Sequence, residues 1–530
     1  MSAVQQKNIS DAAPAPEQTA DPASSGGGIS FFLVMPFFLY FLSGFCSLIY
    51  EVVWSRMLVL VMGNTTLATT TILASFMAGL ALGSYCWGSY SASPPDRPLA
   101  VFGAMEIGVG LFAFIFSVLL PGIVPVEVWL SGMVGWGYNA QVVIRFFFCF
   151  ALLMVPTFLM GGTFAVIGCQ VMRSGRASGH EAGLLYGLNT LGAVAGAFLA
   201  GFFLIRYLGH GLSIRLAAFF NMAIGVTAIL SDWAEKRPAA SLKKNRPEKT
   251  GRIYCSSSRA VSRLVLAAIA LSGFCSLACQ VLWTRLMTLV ADNSVYSFTA
   301  ILMGFLSGLA LGSFLVAPAI KFIKNKVIVF ALVCIGAGVA VYFFPFFIQF
   351  KTVEASRSYW NFLLIKLPAF NLLIASTMMG AAFPLALAIY QEQHARIGHS
   401  LGTVFAVNTL GAVCGAVAAG FFFIPRLGFY ASSLVLPALY IAAGALVLST
   451  QLKPLPAAAA FLLAAGSCAA GMHFMPRDYF SLTYAQLEPE SKMIYYKESM
   501  ATTATIFQRK EGTRALYLNG IGELDTTPLF

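Results

Sequence analysis

The sequence predicts an all-α polytopic membrane protein made of two parallel, transporter-like six-helix repeats, about 13 membrane helices in all, followed by a short C-terminal β-hairpin. Three observations carry that expectation. Of 530 residues, 58% are hydrophobic and only 10% charged, where a soluble domain carries about 25% charged residues. Mean hydropathy is +0.79. The apolar residues come in runs of the length that crosses a bilayer core, about 20 residues each. The chain also repeats itself. So much apolar surface has no soluble solution, which excludes a cytosolic enzyme, a secreted disulfide scaffold and a disordered chain.

The elements follow in order. Residues 1–29 are rich in Ala, Pro, Ser and Gly, lack an apolar period, and read as a disordered tail. The apolar run after them is too long, and its flank too poor in basic residues, for a cleavable signal peptide. Six spans form the first repeat (30–231), at 30–53, 66–90, 99–121, 142–170, 184–205 and 211–231. A basic linker, 232–259, separates them from the second repeat (260–449), with spans at 260–283, 296–318, 327–349, 363–390, 401–424 and 430–449. An Ala-rich thirteenth helix is expected within 450–475, and a β region over 476–530.

The net charge of +12 does not point to nucleic acid, because nine Lys or Arg lie between Lys236 and Arg263 in one polar break. That clustering is an orientation signal: basic loops stay on the cytoplasmic side. A cytoplasmic linker, six crossings after the N-terminus, implies a cytoplasmic N-terminus in the inner (cytoplasmic) membrane. The lipid bilayer is the expected partner. Thirteen crossings would put the tail outside, and twelve would put it inside.

The repeat is the most specific feature. Residues 43–84, SGFCSLIYEVVWSRMLVLVMGNTTLATTTILASFMAGLALGS, align without a gap to 272–313 at an offset of 229, with 22 identities in 42 positions. A second pair, GHEAGLLYGLNTLGAVAGAFLAGFFLIRYLG ending at Gly209 and GHSLGTVFAVNTLGAVCGAVAAGFFFIPRLG ending at Gly428, aligns at an offset of 219. An even number of crossings separates equivalent points, so the halves run in the same direction. That is the arrangement of the two halves of major-facilitator transporters. Within each half the GxxxG pairs Gly79 and Gly83, Gly192 and Gly196, Gly308 and Gly312, and Gly411 and Gly415 are expected to let neighbouring helices approach closely.

Polar residues at membrane depth form the candidate site. Glu51, Trp54 and Arg56 in the first repeat match Gln280, Trp283 and Arg285 in the second. They read either as an interfacial cluster, with Trp at the headgroups and Arg snorkelling, or as a charged vestibule made one-sided by the Glu-to-Gln difference. Glu106 and Arg145 stand near span ends and read as membrane-edge residues. Asn189 and Asn408, in LNTLG and VNTLG, are expected to hydrogen-bond between helices. The ten cysteines lie mostly in apolar runs and the five histidines near boundaries, so no metal site, cofactor or catalytic group is expected.

The tail run YYKESMATTATI, then LYLNG, reads as a strand over 501–509, a turn at 510–513 and a return strand over 514–518. It resembles the N-terminal β-hairpin region of spermidine synthases, the polyamine aminopropyltransferases. The motifs SGFCSLIYEVVWSR, GLALGS and YGLNTLGAVAGAFLAG resemble the multi-pass region of bacterial proteins that fuse a transporter-like bundle to such a synthase. The likeness runs from about residue 40 to the end. It implies polyamine biosynthesis or handling, with a synthase domain or a separate downstream protein as partner. Glu523 stands where the family has a nucleoside-binding Gln, and the glycine-rich loop and diamine-binding acids would come after Phe530. The chain is therefore expected to be truncated after the first synthase hairpin. Two other readings compete: a small-solute transporter of the major-facilitator type, for a cation or polyamine, and a membrane scaffold for a partner protein.

Overall fold

The computed structural model describes residues 31–62, 65–93, 95–134, 138–172, 179–234, 259–291, 295–347, 366–394 and 397–452, scattered positions between 458 and 488, and 490–499, 502–518 and 521–526. The expected tail at 1–29, nearly all of the basic linker and most of 450–475 lie outside them.

Ten apolar stretches among the described residues are long enough to cross a membrane. Two of these, of 56 and 53 residues, each fold as two helices about a positive-φ glycine, Gly209 at 68° and Gly428 at 72°. That makes twelve. The first repeat contains α1 (Phe31–Met62), α2 (Thr65–Tyr90), α3 (Pro98–Val134), α4 (Tyr138–Met172), α5 (Gly179–Leu199) and α6 (Ile205–Ala234). The second contains α7 (Arg259–Ala291), α8 (Val295–Ala319), α9 (Lys326–Phe343), α10 (Lys366–Gln391), α11 (Ile397–Ala418) and α12 (Gly428–Ser449). In both halves the fifth helix widens into a π segment at the same place, Ala200–Leu204 and Ala419–Leu427, before the glycine ends it. Several helices outrun the spans expected from composition. α3 has 37 residues, about 55 Å at 1.5 Å per residue, because its apolar run continues beyond bilayer thickness.

Helix packing repeats with the sequence. α1 packs on α5, α2 on α4 and α3 on α6, while α7 packs on α11, α8 on α10 and α9 on α12. Between the halves α2 packs on α11 and α8 on α5. Adding six to each helix of the first set gives the second, and the two cross-repeat pairs exchange. A two-fold axis along the membrane normal produces that pattern, and parallel repeats require it.

The GxxxG glycines lie where these helices cross. A Cβ at Gly192 would overlap the Phe41 carbonyl, and one at Gly411 the carbonyl of Ala270, the equivalent residue. Gly196 and Gly415 meet Phe45 and Phe274 in the same way. On the α2·α4 and α8·α10 crossings, Gly79 and Gly308 face the Thr157 and Ser376 hydroxyls, and Gly83 and Gly312 the carbonyls of Phe158 and Thr377.

The tail forms more than a hairpin. Strands β1 (Lys492–Glu498), β2 (Thr503–Gln508), β3 (Arg514–Leu518) and β4 (Ile521–Asp525) make an antiparallel meander in chain order. β2 and β3 fall where the alternation predicts them. β1 and β4 are harder to read because a bulge interrupts the pairing of each, between Met493 and Tyr495 and between Leu516 and Tyr517. Thr503, Thr505 and Phe507 alternate inward and are fully buried. Met475, with Met493 and Tyr496 of β1, packs into the core formed by α7, α9 and α12.

A polar knot ties the sheet. Arg509 donates to Glu488 through Nη2 (2.6 Å) and Nε (3.1 Å), and Tyr517 and Ser491 donate to the same carboxylate at 2.7 and 2.8 Å. Arg509 also pairs with Asp525. The Arg509 bonds hold the Glu488 carboxyl down at about 2, from an ordinary 4.5. A depressed folded pKa stabilises above the unfolded value and is lost as protons bind. The sheet should therefore loosen as pH falls from about 4.5 through about 2. The carboxyl 13C shift of Glu488, assigned with Glu488→Gln, should titrate near the lower value.

Candidate functional site

The Trp and Glu positions face the interior of the bundle. Trp54 is fully buried, and Glu51, Gln280, Trp283 and Arg285 nearly so. The Trp54 ring stacks on Tyr50 at 5.2 Å and meets Phe116 edge-on at 5.7 Å, on the α3 side of the first repeat. Trp283 packs on Phe305 and Phe344 at 6.4 and 4.7 Å. Each indole thus pins the first helix of its repeat to its neighbours. Arg56 stays half-buried while Arg285 is enclosed. Arg285 Nη2 donates to Thr503 Oγ1 at 3.2 Å, and its guanidinium lies 5.5 Å above the Phe429 ring.

Glu106 is likewise not at an edge. It is buried between α1, α3 and α6, where Ser43 Oγ donates to its Oε1 at 2.7 Å and Asn221 Nδ2 to its backbone carbonyl at 2.7 Å. At the equivalent place in the second repeat, Ser272 and Ser276 surround the Tyr440 hydroxyl at 3.3 and 2.7 Å, and that hydroxyl donates to the Ser272 carbonyl at 2.8 Å. Ser43 matches Ser272 and Asn221 matches Tyr440 by the two offsets. Among the described residues the first repeat thus buries Glu51 and Glu106 where the second has neutral groups, and a third carboxylate, Asp232 near the end of α6, accepts from the Ala100 N–H at 3.1 Å. The Glu51–Gln280 part of this asymmetry was legible from the aligned repeats; the Glu106 part was not, because Glu106 lies outside the two aligned segments.

Asn189 Nδ2 donates to the Tyr40 carbonyl at 2.9 Å, across the α1·α5 crossing. Asn408 takes the same place beside Gly273 that Asn189 takes beside Gly44. Such interhelical bonds average about 0.6 kcal/mol in membrane proteins. Asn189→Ala should therefore lower the thermal midpoint in detergent only slightly, and a large drop would assign Asn189 more than one bond.

Four aromatic rings close the axis between the repeats, and none was among the expected site residues. Phe164 on α4 and Phe383 on α10 are equivalent, as are Tyr186 on α5 and Phe405 on α11, at the offset of 219 that the second sequence pair shows. Phe164 meets Phe383 at 6.0 Å and Phe405 at 5.5 Å, and Tyr186 stacks on Phe383 at 4.6 Å. Phe164 and Phe383 are buried. All four lie close to the α4–α5 and α10–α11 connections. The α4–α5 connection is two crossings from the chain's mid-point linker and the α10–α11 connection four, so both share its side.

Among the described residues no group of three or more His, Cys, Asp or Glu could hold a metal ion. The eight described cysteines are free thiols.

No family model matches the sequence, and no curated protein matches it. Among solved structures, the chain is similar to the human organic anion transporter MFSD10 (TETRAN) at a TM-score of 0.49, with 12% identity, over 78% of this chain and 98% of that one. It is similar to the E. coli fucose:proton symporter FucP at a TM-score of 0.41, with 15% identity, over 79% of this chain and 99% of that one. The chain itself is a multi-pass α-helical membrane protein with a small antiparallel β element at its C-terminal end.

Proposed function

We propose that this chain is a small-solute transporter of the cytoplasmic membrane, with its N-terminus and basic linker in the cytoplasm. The observation that carries the reading is the four-ring closure on the axis. Phe164 and Tyr186 belong to one repeat and Phe383 and Phe405 to the other. Rocking one repeat against the other parts the rings and opens a path between them, which is how parallel-repeat transporters alternate access. A static scaffold needs no such seam of apposed, repeat-equivalent rings. Labels at Ser89→Cys and Lys324→Cys, at the linker-side ends of α2 and α8 in a cysteine-free background, read the separation of the halves by electron resonance. Phe164→Ala with Phe383→Ala should shift the distances longer. Unchanged distances, with no solute taken up by proteoliposomes, would overturn the proposal.

The solute we favour is cationic. Among the described residues the midspan carboxylates Glu51 and Glu106 are buried in the first repeat and have no buried acidic counterpart in the second, and a buried acid in a membrane bundle is costly enough to keep only for a purpose. Glu51→Gln makes that position identical to its counterpart Gln280. We expect it to cut uptake of putrescine or spermidine by about ten-fold or more, the worth of one charge-assisted bond. Equal uptake by the two proteins would sever the link to Glu51.

The membrane half of an aminopropyltransferase is the second reading, and the tail sequence favours it. We rank it lower on sidedness. The sheet reaches the bundle at Arg285 and Phe429. Arg285 is 26 residues along α7 from its linker end at Arg259, about 39 Å at 1.5 Å per residue. With the linker cytoplasmic, the sheet is outside, away from a cytosolic nucleoside donor.

A further inference from the structure

Gly209 and Gly428 are repeat equivalents with one backbone shape, φ 68° and ψ 177° against φ 72° and ψ 179°. Each breaks a helix that starts afresh at the next residue, so the N–H groups of a new first turn are bared there. Ser213 and Ser432, also equivalent, donate back to the two glycine carbonyls at 2.5 and 2.6 Å. Arg56 and Arg285 are equivalents on α1 and α7; Arg285 lies over the Phe429 ring at the start of one fresh helix, and the Arg56 charge reaches His210 at the start of the other. The molecule thus builds the same corner twice.

One corner is filled. In the second repeat the Phe429 N–H donates to Glu498 Oε2 at 2.6 Å, and the Arg285 charge acts on that carboxylate. Glu498 belongs to β1, and the sheet reaches only this side. In the first repeat the same positions hold Arg56 and an exposed His210, within electrostatic reach of each other. Among the described residues no carboxylate forms a salt bridge with Arg56. Arg206 and Arg215 add further positive charge around the same break. The second repeat therefore shows within this molecule what the corner takes: an anionic oxygen, on a helix start beside a guanidinium.

We propose that Arg56 and the helix start at His210 form an anion site that binds a phosphate group, presented by an anionic lipid headgroup or by free phosphate. Phosphate suits the corner for the same reason as Glu498: backbone N–H groups and a positive helix end face it, and a guanidinium offers parallel donors to its oxygens. The proposal does not depend on transport.

The test uses the full chain in detergent, with thermal midpoint and native mass spectrometry as readouts. Phosphatidylglycerol, phosphatidylcholine and inorganic phosphate, the last against chloride at equal ionic strength, are the three probes. Wild-type protein should be stabilised by phosphatidylglycerol or by phosphate, and not by phosphatidylcholine. Arg56→Gln should weaken that binding by about ten-fold or more, as loss of a charge-assisted bond does, and Arg56→Lys should recover part of it. Glu498→Gln should leave it unchanged, because it alters only the other corner. If Arg56→Gln does not fold, His210→Pro, which removes the backbone donor at a helix start where proline is tolerated, should weaken binding instead. A response to phosphatidylglycerol alone names the lipid as source, and a response to phosphate alone names the free ion. No stabilisation by either, or equal stabilisation of the wild type and Arg56→Gln, overturns the proposal.

Discussion

Leucine at Gly192 should prevent the first repeat from assembling, and leucine at Gly411 should do the same to the second. The two positions are equivalent and cross the first helix of their repeat at Phe41 and Ala270. What a side chain would strike there is a backbone carbonyl on a packed helix, which cannot turn aside as a flexible side chain can. Overpacking a well-filled core costs about 1–3 kcal/mol. Here α1 and α5, or α7 and α11, must separate along their shared face, so the cost lies at or above the top of that range. We expect loss of monodisperse protein on size exclusion, or a thermal midpoint lowered by many degrees. Gly466→Leu is the control, since no atom lies within 4 Å of a Cβ there. Wild-type melting of both Gly192→Leu and Gly411→Leu would remove these glycines from the packing of the bundle.

The same symmetry explains what could be read in advance. Twenty-two identities in 42 positions mean that the two halves place like residues at like crossings, so the parallel repeats were legible before any coordinates. The direction a residue faces was not. A helix that is apolar all round has no amphipathic period to mark its inner face, which is why the burial of Glu106 and Trp54 inside the bundle was not legible. The axial rings were hidden for a related reason. Phenylalanine is common along the whole chain, and Phe164 and Phe383 stand out only when the halves are overlaid and the pairs seen to meet on the axis. In the tail, strict alternation exposed β2 and β3, while the bulges displaced β1 and β4 from it.

Arg285→Leu should free the C-terminal sheet while leaving the helices folded. Three bonds converge where the sheet meets the bundle: Arg285 Nη2 to Thr503 Oγ1, the Phe429 N–H to Glu498 Oε2, and the Tyr496 hydroxyl to the other oxygen of Glu498. Burial pushes the Glu498 carboxyl up, and the Arg285 charge works against that. Removing the cation takes away the bond to Thr503 and the charge that offsets the half-buried Glu498 carboxylate, a loss of about 1–3 kcal/mol for a hydrogen bond to a charged group. Undocking of the sheet then becomes more frequent by about one to two orders of magnitude, at about 1.4 kcal/mol for each factor of ten. Hydrogen exchange at Thr503, Thr505 and Phe507, all buried in the wild type, should speed up accordingly. Exchange along α7 should not, since α7 is held by α11 and α12 independently of the sheet. Adding Glu498→Gln to Arg285→Leu removes the stranded charge as well and should restore part of the protection, a recovery that simple loss of packing would not give. If Arg285→Leu exchanges like the wild type, the sheet is held by the apolar contacts of Met475, Met493 and Tyr496 alone, and the charge at the end of α7 serves some other end.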